Sequence, residues 1–235
     1  MVEYFRLTLI SFGLLISISL FLYFFFSRPT YRAFFINPIY YLNTKDRVIA
    51  LTFDDGPNAT TTPKLLDVLN KYNIKATFFL QGSNIEKNRS LAQRIVTEGH
   101  AIGNHSYSHQ RLIFKTPSFI HSEISKTDDL IVSIGAIKPI YFRPPFGAKL
   151  VVLPLVLNQM KKRLVTWTYC PQSQYDQEFS GDLVANQVIE NLHPGVIILL
   201  HDGRSDNSDE LVKAVEKIII KSIIDQGYKF VTIDN

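Results

Sequence analysis

The chain has 235 residues, 46% of them hydrophobic, which is enough for one domain with a sizeable core or for a domain and a membrane anchor. Its formal net charge is +4, and the Lys and Arg residues are scattered rather than clustered with aromatic side chains. This composition argues against a nucleic-acid-binding protein. The single cysteine, Cys170, excludes an intrachain disulfide.

The N-terminal segment is apolar enough to indicate membrane attachment. Residues 7–26 carry no charge, and about 20 apolar residues can cross a bilayer. A cleaved signal peptide is the alternative, but its apolar core is usually about 7–15 residues long and ends in small residues, not aromatic ones. We therefore predict a short cytoplasmic N-terminus at 1–6, a transmembrane anchor at 7–27 and a linker at 28–46. Positive charges flank the segment on both sides, so the positive-inside rule gives no orientation.

Beyond the linker, short apolar runs alternate with longer amphipathic ones. Strand-like runs lie at 48–53, 76–80, 101–103, 140–143, 164–168, 196–200 and 229–233. Helix-like stretches, with an apolar period near 3.6 residues, lie at 62–72, 91–98, 118–134, 149–160, 183–192 and 209–225. This alternation predicts an α/β domain at 47–235 with a parallel sheet or a (β/α) barrel. In such a barrel, ligands bind at the carboxyl ends of the strands.

Two adjacent carboxylates follow the first predicted strand. Asp54 and Asp55 lie in the sequence TFDDGP, between an apolar run and a turn-forming Gly-Pro. Like charges this close resist joint ionisation unless a cation or a proton-handling role separates their tasks. A solvated turn is the alternative, since Asp and Gly are common in turns.

A histidine pair follows the third predicted strand. His105 and His109, in the sequence HSYSH, can face one metal ion if the segment is helical or tightly turned. Such a pair often arises by chance. With a carboxylate from another strand end, however, it forms a set of three ligands with an open coordination position, which is the design of catalytic zinc sites.

Two further strand ends carry polar groups. Arg143, in FRPPFG, is always charged and can pair with a carboxylate, although the segment could also be a rigid surface turn. His201, in LLHDG, suits general acid chemistry, and the alternative is a histidine that only caps the strand. We interpret the remaining histidines as structural or solvated: His100, His121 and His193.

The motifs TFDDGP, HSYSH, RPPFG and LLHDG, in this order, closely resemble those of the polysaccharide deacetylases, carbohydrate esterase family 4. That family includes chitin and peptidoglycan N-acetylglucosamine deacetylases. The segments KATFF and EGHAIGNH also resemble family segments, and the similarity covers about residues 48–233. The resemblance implies a distorted (β/α)7 barrel, here behind an N-terminal transmembrane helix. It also implies a metal-dependent hydrolase that removes N-acetyl groups from N-acetylglucosamine-containing polysaccharide and releases acetate.

The resemblance further assigns roles to individual residues. Asp54 would be the base that takes a proton from the attacking water, Arg143 would orient it, and His201 would protonate the departing amine. A divalent metal, expected to be Zn²⁺ with Co²⁺, Ni²⁺ or Fe²⁺ as alternatives, would be held by Asp55, His105 and His109. The backbone N–H of Phe146 would stabilise the oxyanion. The substrate pocket would be lined by Leu199, Pro145 and Trp167.

One segment departs from the family pattern. The family usually has an Asp-Trp pair a few residues beyond the predicted strand at 164–168, and its Asp supports the acid histidine. At the commonest spacing, this position falls near Ser173. Asp176 is the nearest carboxylate and could orient His201 only with a longer loop.

These features predict a monomeric, membrane-anchored enzyme with its catalytic domain outside the cytoplasm and an N-acetylated glycan as substrate. The glycan could be peptidoglycan, a chitin-like polymer or an exopolysaccharide. One alternative is a deacetylase of O-acetyl esters or small amides. Another is a non-catalytic glycan-binding protein of the same fold.

Overall fold

The computed structural model describes residues 1–27, 31–176, 179–203, 208–222 and 226–234. In this part of the chain the strands are β1 (Val48–Asp54), β2 (Thr77–Leu80), β3 (Ala101–Asn104), β4 (Tyr141–Phe142), β5 (Arg163–Leu164), β6 (Val196–His201) and β7 (Lys229–Phe230). The helices are α1 (Val2–Ser27), α2 (Thr61–Lys71), α3 (Gly82–Lys87), α4 (Arg89–Thr97), α5 (Pro117–Ser133), α6 (Val152–Gln159), α7 (Gly181–Glu190) and α8 (Ser208–Ile220). Short 3₁₀ turns lie at Pro145–Gly147 and Gln172–Tyr175.

The strands form one parallel sheet that curves into a barrel-like ring. Their order is β5-β4-β3-β2-β1-β6, and β7 pairs with the start of β1. The chain after β5 joins β6, because the Thr168 N–H donates to the Ile197 carbonyl and the Leu199 N–H donates to the Tyr169 carbonyl, both at 2.9 Å. The predicted α/β class and parallel sheet are confirmed.

The alternation of side chains along β1 separates two apolar layers. Ile49, Leu51 and Phe53 pack outward against the helices, in a cluster that includes Leu65 and Leu69 of α2. Ala50 belongs instead to the inner cluster of the ring. Because successive strand residues point to opposite faces, Thr52 and Asp54 share the face of Ala50. The same rule applied to β6 places Ile197, Leu199 and His201 on the inner face.

The N-terminal segment is a helix, α1, that contains the predicted anchor at 7–27. Among the residues that the structure describes, none of the helices combines the length and the apolar character needed to cross a bilayer. The predicted transmembrane segment is therefore not supported by the structure.

The predicted linker at 28–46 is attached to the ring. Its first residues, 28–30, lie outside the described residues. Further along, the Ile39 N–H donates to the Leu164 carbonyl at 2.9 Å, and the Leu42 N–H donates to the Gly195 carbonyl at 2.8 Å. The segment thus runs along β5 and the entrance to β6.

Several predicted boundaries differ from the observed ones. The strands predicted at 140–143, 164–168 and 229–233 have only two residues each in the structure, because the chain leaves the ladder early at these positions. Helix α3 was not predicted, since its sequence GSNIEK has one apolar side chain and therefore no apolar period. The end of the helix predicted at 209–225 lies outside the described residues.

A buried ion pair connects α5 to the approach of β5. The Lys162 ammonium lies 2.6 Å from Asp128 Oδ2, and both side chains are almost completely buried. Burial lowers the pKa of Lys162, and the neighbouring carboxylate opposes this shift. The Asn104 amide also donates to Asp128 Oδ1 at 2.7 Å. The pair therefore supports the end of β3, directly before His105.

We expect Lys162→Met to reduce the free energy of unfolding by about 3–5 kcal/mol, because it leaves the Asp128 carboxylate buried without its main partner. The matched control is Lys64→Met, whose ion pair with Asp209 is exposed, and we expect it to cost at most about 1 kcal/mol. Urea unfolding monitored by circular dichroism measures both. Equal losses in the two variants would contradict the structural role of the pair.

Candidate active site

A cavity of about 550 Å³ opens at the carboxyl ends of the strands. Eight of the predicted site residues line it: Asp54, Asp55, His105, His109, Phe146, Trp167, Leu199 and His201. Arg143 is fully buried and reaches the site through Asp54. Pro145 is buried but does not line the cavity, and Asp176 is exposed on the surface. The structure thus brings together the motif residues of four strand ends and separates Asp176 from them.

Asp55, His105 and His109 form a candidate metal site. Their ligand atoms all lie within 4.8 Å of one another, and Asp55 Oδ1 is 3.2 Å from His105 Nε2 and 3.0 Å from His109 Nε2. The interactions with the two histidines outweigh burial, which acts to raise the pKa of Asp55, and hold that pKa below its usual range. The carboxylate is therefore ionised at neutral pH, as a metal ligand must be.

The tautomer of His105 tests whether these residues fit a metal. His105 Nδ1 lies 2.7 Å from the Arg143 carbonyl oxygen, which can only accept, so Nδ1 carries the proton. In the neutral imidazole, Nε2 then presents a lone pair to Asp55 Oδ1. Two acceptors this close require a proton or a metal ion between them. A divalent metal satisfies this requirement, and the donor set of two imidazoles and one carboxylate suits it.

Tight turns, not a helix, bring the two histidines together. Ser106 and His109 have φ angles of 62° and 57°, in the left-handed region that non-glycine residues rarely adopt. The Ser106 hydroxyl accepts from the His109 N–H at 3.2 Å, and the Asn104 amide oxygen accepts from the Ser106 N–H at 2.8 Å. These bonds hold the loop in the turned conformation that the spacing of the histidines requires.

Glu123 of α5 holds the same loop from outside, and sequence reasoning missed it. Its carboxylate accepts from the backbone N–H groups of Tyr107 and Ser108 at 3.1 and 2.8 Å and from the Ser108 hydroxyl at 3.0 Å. The sequence did contain a sign of this role, because Glu123 is a charged residue next to Ile124 on the buried face of an amphipathic helix. A buried acid needs polar partners, and here the histidine loop supplies them.

The second carboxylate, Asp54, is held by Arg143. One guanidinium nitrogen donates to Asp54 Oδ1 and to the Thr52 hydroxyl, each at 2.7 Å, and the other donates to the Thr166 carbonyl at 2.7 Å. Burial lowers the pKa of Arg143, while the Asp54 charge opposes this shift. Asp54 Oδ2 remains directed at His105, 3.7 Å from Nε2. One oxygen of Asp54 is therefore fixed and the other faces the cavity.

His201 is oriented by a residue that the sequence did not indicate. Its Nδ1 lies 2.8 Å from Gln174 Oε1, in the 3₁₀ turn before α7. Ser173, the position of the expected family Asp, bonds instead to Gln187 at 2.9 Å. Burial lowers the pKa of His201, and the carboxylates of Asp54 and Asp55 oppose this shift.

Phe146 lines the cavity with an unusual backbone conformation. Its φ of 60° is left-handed, and its N–H makes no hydrogen bond to any residue that the structure describes. The ring lies at the cavity mouth between His109, at 4.7 Å between centroids, and the Arg111 guanidinium, at 4.5 Å. The predicted pocket residues Leu199 and Trp167 lie in the same cavity.

The loops after β1 and β6 pack closely together. The Asp202 N–H donates to the Asp54 carbonyl at 3.2 Å, and the Thr62 hydroxyl donates to Asp202 Oδ2 at 2.6 Å. A Cβ added to Gly203 would lie 2.4 Å from the Asp55 Cβ, so only glycine permits this approach. Burial raises the pKa of the Asp202 carboxyl to about 7, and the nearby Asp55 charge adds to this effect.

Known proteins are similar to this chain in sequence and in fold. The family described as polysaccharide deacetylase matches residues 41–179. A peptidoglycan-N-acetylglucosamine deacetylase of Bacillus cereus is 37% identical over 185 residues, which cover 79% of this chain but only 66% of the relative, just under two thirds of its length. The peptidoglycan-N-acetylmuramic acid deacetylase PdaA of Bacillus subtilis is 35% identical over 210 residues, covering 87% of this chain and 75% of that one. The crystal structure of the Bc1960 peptidoglycan N-acetylglucosamine deacetylase superposes with a TM-score of 0.75 at 34% identity, covering 88% of this chain and 89% of that one.

We expect the raised pKa of Asp202 to make stability fall as pH rises from about 4 towards 7. Its pKa is about 7 in the folded protein against 3.8 for a free carboxyl, so in this window the folded state keeps a proton that the unfolded state has lost. Relative to the wild type, Asp202→Asn should therefore gain about 2–4 kcal/mol between about pH 4 and pH 8.

Urea unfolding of both proteins in chelator, at several pH values, measures this difference. The control is Asp129→Asn, which removes an exposed carboxylate. Its unfolding curve should stay parallel to that of the wild type across the pH range. A parallel curve for Asp202→Asn as well would show that the buried carboxyl does not bind the extra proton.

Proposed function

The chain belongs to the polysaccharide deacetylase family, and on this premise we propose that it is a hydrolase that removes N-acetyl groups from a glycan and releases acetate. The proposal rests on one observation above all. A candidate set of metal ligands, a carboxylate held by a buried arginine, and a histidine with a fixed orientation converge on one cavity.

The roles of the side chains follow from their positions. Asp55, His105 and His109 would hold a divalent metal, which supplies Lewis-acid polarisation of the acetyl carbonyl and activation of a water. Asp54 accepts the proton of the attacking water at Oδ2, the oxygen that Arg143 leaves unbound.

Two other residues act on the acetyl oxygen that gains charge and on the departing sugar nitrogen. The Phe146 N–H donates to the acetyl oxygen as it gains negative charge, a contribution of about 3–4 kcal/mol for a single donor. His201 donates a proton from Nε2 to the sugar nitrogen as the C–N bond breaks. The products are acetate and a free amino sugar. Leu199 and Trp167, which line the cavity, would contact the acetyl methyl.

The substrate, the metal, the cellular location and the oligomeric state are also proposals. We infer peptidoglycan as the substrate, because both relatives described above are named peptidoglycan deacetylases, although for different sugars. Zinc is the proposed metal, since two imidazoles and a carboxylate with an open position are typical of catalytic zinc. A peptidoglycan substrate implies a location outside the cytoplasm, which protease accessibility on intact cells tests. The expected monomeric state is tested by light scattering.

We expect acetate release from purified peptidoglycan and chitooligosaccharides to stop in excess chelator and to return with added Zn²⁺. Mass spectrometry of the products reports each lost acetyl group, so the same experiment identifies the sugar that reacts. Release that persists in metal-depleted protein would contradict the metal role. Glycan binding without release under Zn²⁺, Co²⁺, Ni²⁺ or Fe²⁺ would favour the non-catalytic alternative.

Two variants separate the roles of the carboxylate and the histidine pair. Asp54→Asn should reduce kcat by about 10²–10⁴-fold with unchanged metal content, because the base is lost and the ligands remain. His109→Ala should lose the metal itself, which atomic emission spectrometry measures. The control is His121→Ala, which replaces an exposed histidine of α5. Normal turnover in Asp54→Asn would remove Asp54 from the mechanism.

A further inference from the structure

The side chain of Gln174 is buried between the cavity and the wall of the ring. It is only 4% exposed. Its Nε2 donates to the Cys170 sulfur at 3.0 Å and to the Leu199 carbonyl at 3.4 Å, while its Oε1 lies 2.8 Å from His201 Nδ1. Both the NH₂ group and the oxygen of this amide therefore have hydrogen-bond partners, and these bonds hold the side chain in one position.

These contacts determine which way the amide points. The Leu199 carbonyl oxygen can only accept, so the NH₂ group of Gln174 must face it. The amide oxygen then faces His201, and because that oxygen also can only accept, His201 Nδ1 must carry a proton. The proton that His201 gains and loses is consequently the one on Nε2, and His201 lines the cavity.

We propose that Gln174 is the positioning residue of His201, holding it in the Nδ1–H tautomer with Nε2 free for proton transfer, and that it does so without adding a negative charge. This inference rests on the proposed role of His201 as the acid. It deepens that role, because it names the group that fixes the tautomer.

The charge of this partner matters because His201 is surrounded by ionisable groups. Asp54 and Asp55 favour its cationic form, whereas His105 and Arg143 disfavour it, and the Tyr175 ring lies 5.5 Å away at a steep angle. Asp54 is already paired with Arg143, and Asp55 with the histidine pair. A carboxylate in place of the Gln174 amide would add a negative charge in hydrogen-bond contact and would raise the pKa of the imidazole.

Asp176, the partner suggested by sequence alone, is placed differently. It is exposed, it follows the 3₁₀ turn, and its N–H donates to the Ser173 carbonyl at 3.3 Å. Within the described residues, the hydrogen-bond partner of His201 Nδ1 is the amide of Gln174. The turn therefore presents residue 174, not residue 176, to the histidine.

The ¹⁵N spectrum of the imidazole tests this inference directly. Full-length protein labelled at its six histidines and loaded with Zn²⁺ is compared with four variants. The His201 signals are assigned by their loss in a fifth variant, His201→Gln. The wild type and Gln174→Glu should show the Nδ1–H tautomer, with a pKa about one unit or more higher in the Glu variant. Gln174→Met, which is similar in size but lacks the acceptor, should show a mixture of tautomers.

Gln172→Met is the matched control: this glutamine lies in the same turn but is exposed, and the His201 signals should not change.

Kinetics supply a second readout that a purely structural role would not produce. In Gln174→Met, we expect kcat to fall on the order of 10- to 100-fold with little change in KM, because the acid is misplaced rather than the substrate. In Gln174→Glu, the pH above which kcat/KM declines should move upward with the pKa of His201. Asp176→Asn should leave the His201 signals as in the wild type.

The outcomes separate this inference from the proposed function. A wild-type tautomer and an unchanged kcat in Gln174→Met, or an unshifted pH profile of kcat/KM in Gln174→Glu, would overturn the positioning role, even if the enzyme is active. A change of the His201 signals in Asp176→Asn but not in Gln174→Met would assign that role to Asp176 instead. If no glycan releases acetate, the proposed function fails, but the spectra still decide which residue holds His201.

Discussion

The guanidinium of Arg143 lies at the centre of the ring and connects nearly every part of the site. It donates hydrogen bonds to Asp54 and Thr52 of β1 and to the Thr166 carbonyl beyond β5. It also lies 4.0 Å from the centroid of the Phe79 aromatic ring in β2. Its own carbonyl oxygen fixes the tautomer of His105. A fully buried charge is tolerated only when it is paired and hydrogen-bonded, and the bonds of the two terminal nitrogens tie the candidate base and the inner wall to a single geometry.

The register of the sheet explains why the motifs meet. Asp54 pairs with His201 across β1 and β6, so the candidate base and acid occupy neighbouring strand ends on the same face. Asn104 pairs with Leu80 of β2, which places His105 at the next strand end around the ring. Parallel strands end at one edge of the sheet, so His105 and His201, about 50 and about 150 positions after Asp54 in the chain, come to lie near it.

The sequence was sufficient for the parts of the site that lie on regular elements. The apolar runs predicted β1 and β6, and the position directly after each run identified Asp54, Asp55 and His201 as candidate site residues. It was not sufficient where a single side chain in a loop decides the geometry. Gln174 lies in a short turn whose path depends on the packing of the ring, so its approach to His201 could not be read from spacing. Glu123 showed a signal, a charge on a buried helical face, but its partner could be identified only in three dimensions.

Three residues of the site, Asp55, His109 and Phe146, share left-handed backbone angles with Ser106. Each such residue costs on the order of 1 kcal/mol or more, so the cavity lowers the stability of the fold by a few kcal/mol. Engineering that relaxes these angles to make the protein more heat-resistant would move a candidate metal ligand or the proposed oxyanion donor. This corner of the barrel is thus where gains in thermostability and turnover oppose each other, and stabilising substitutions belong on the outer helices instead.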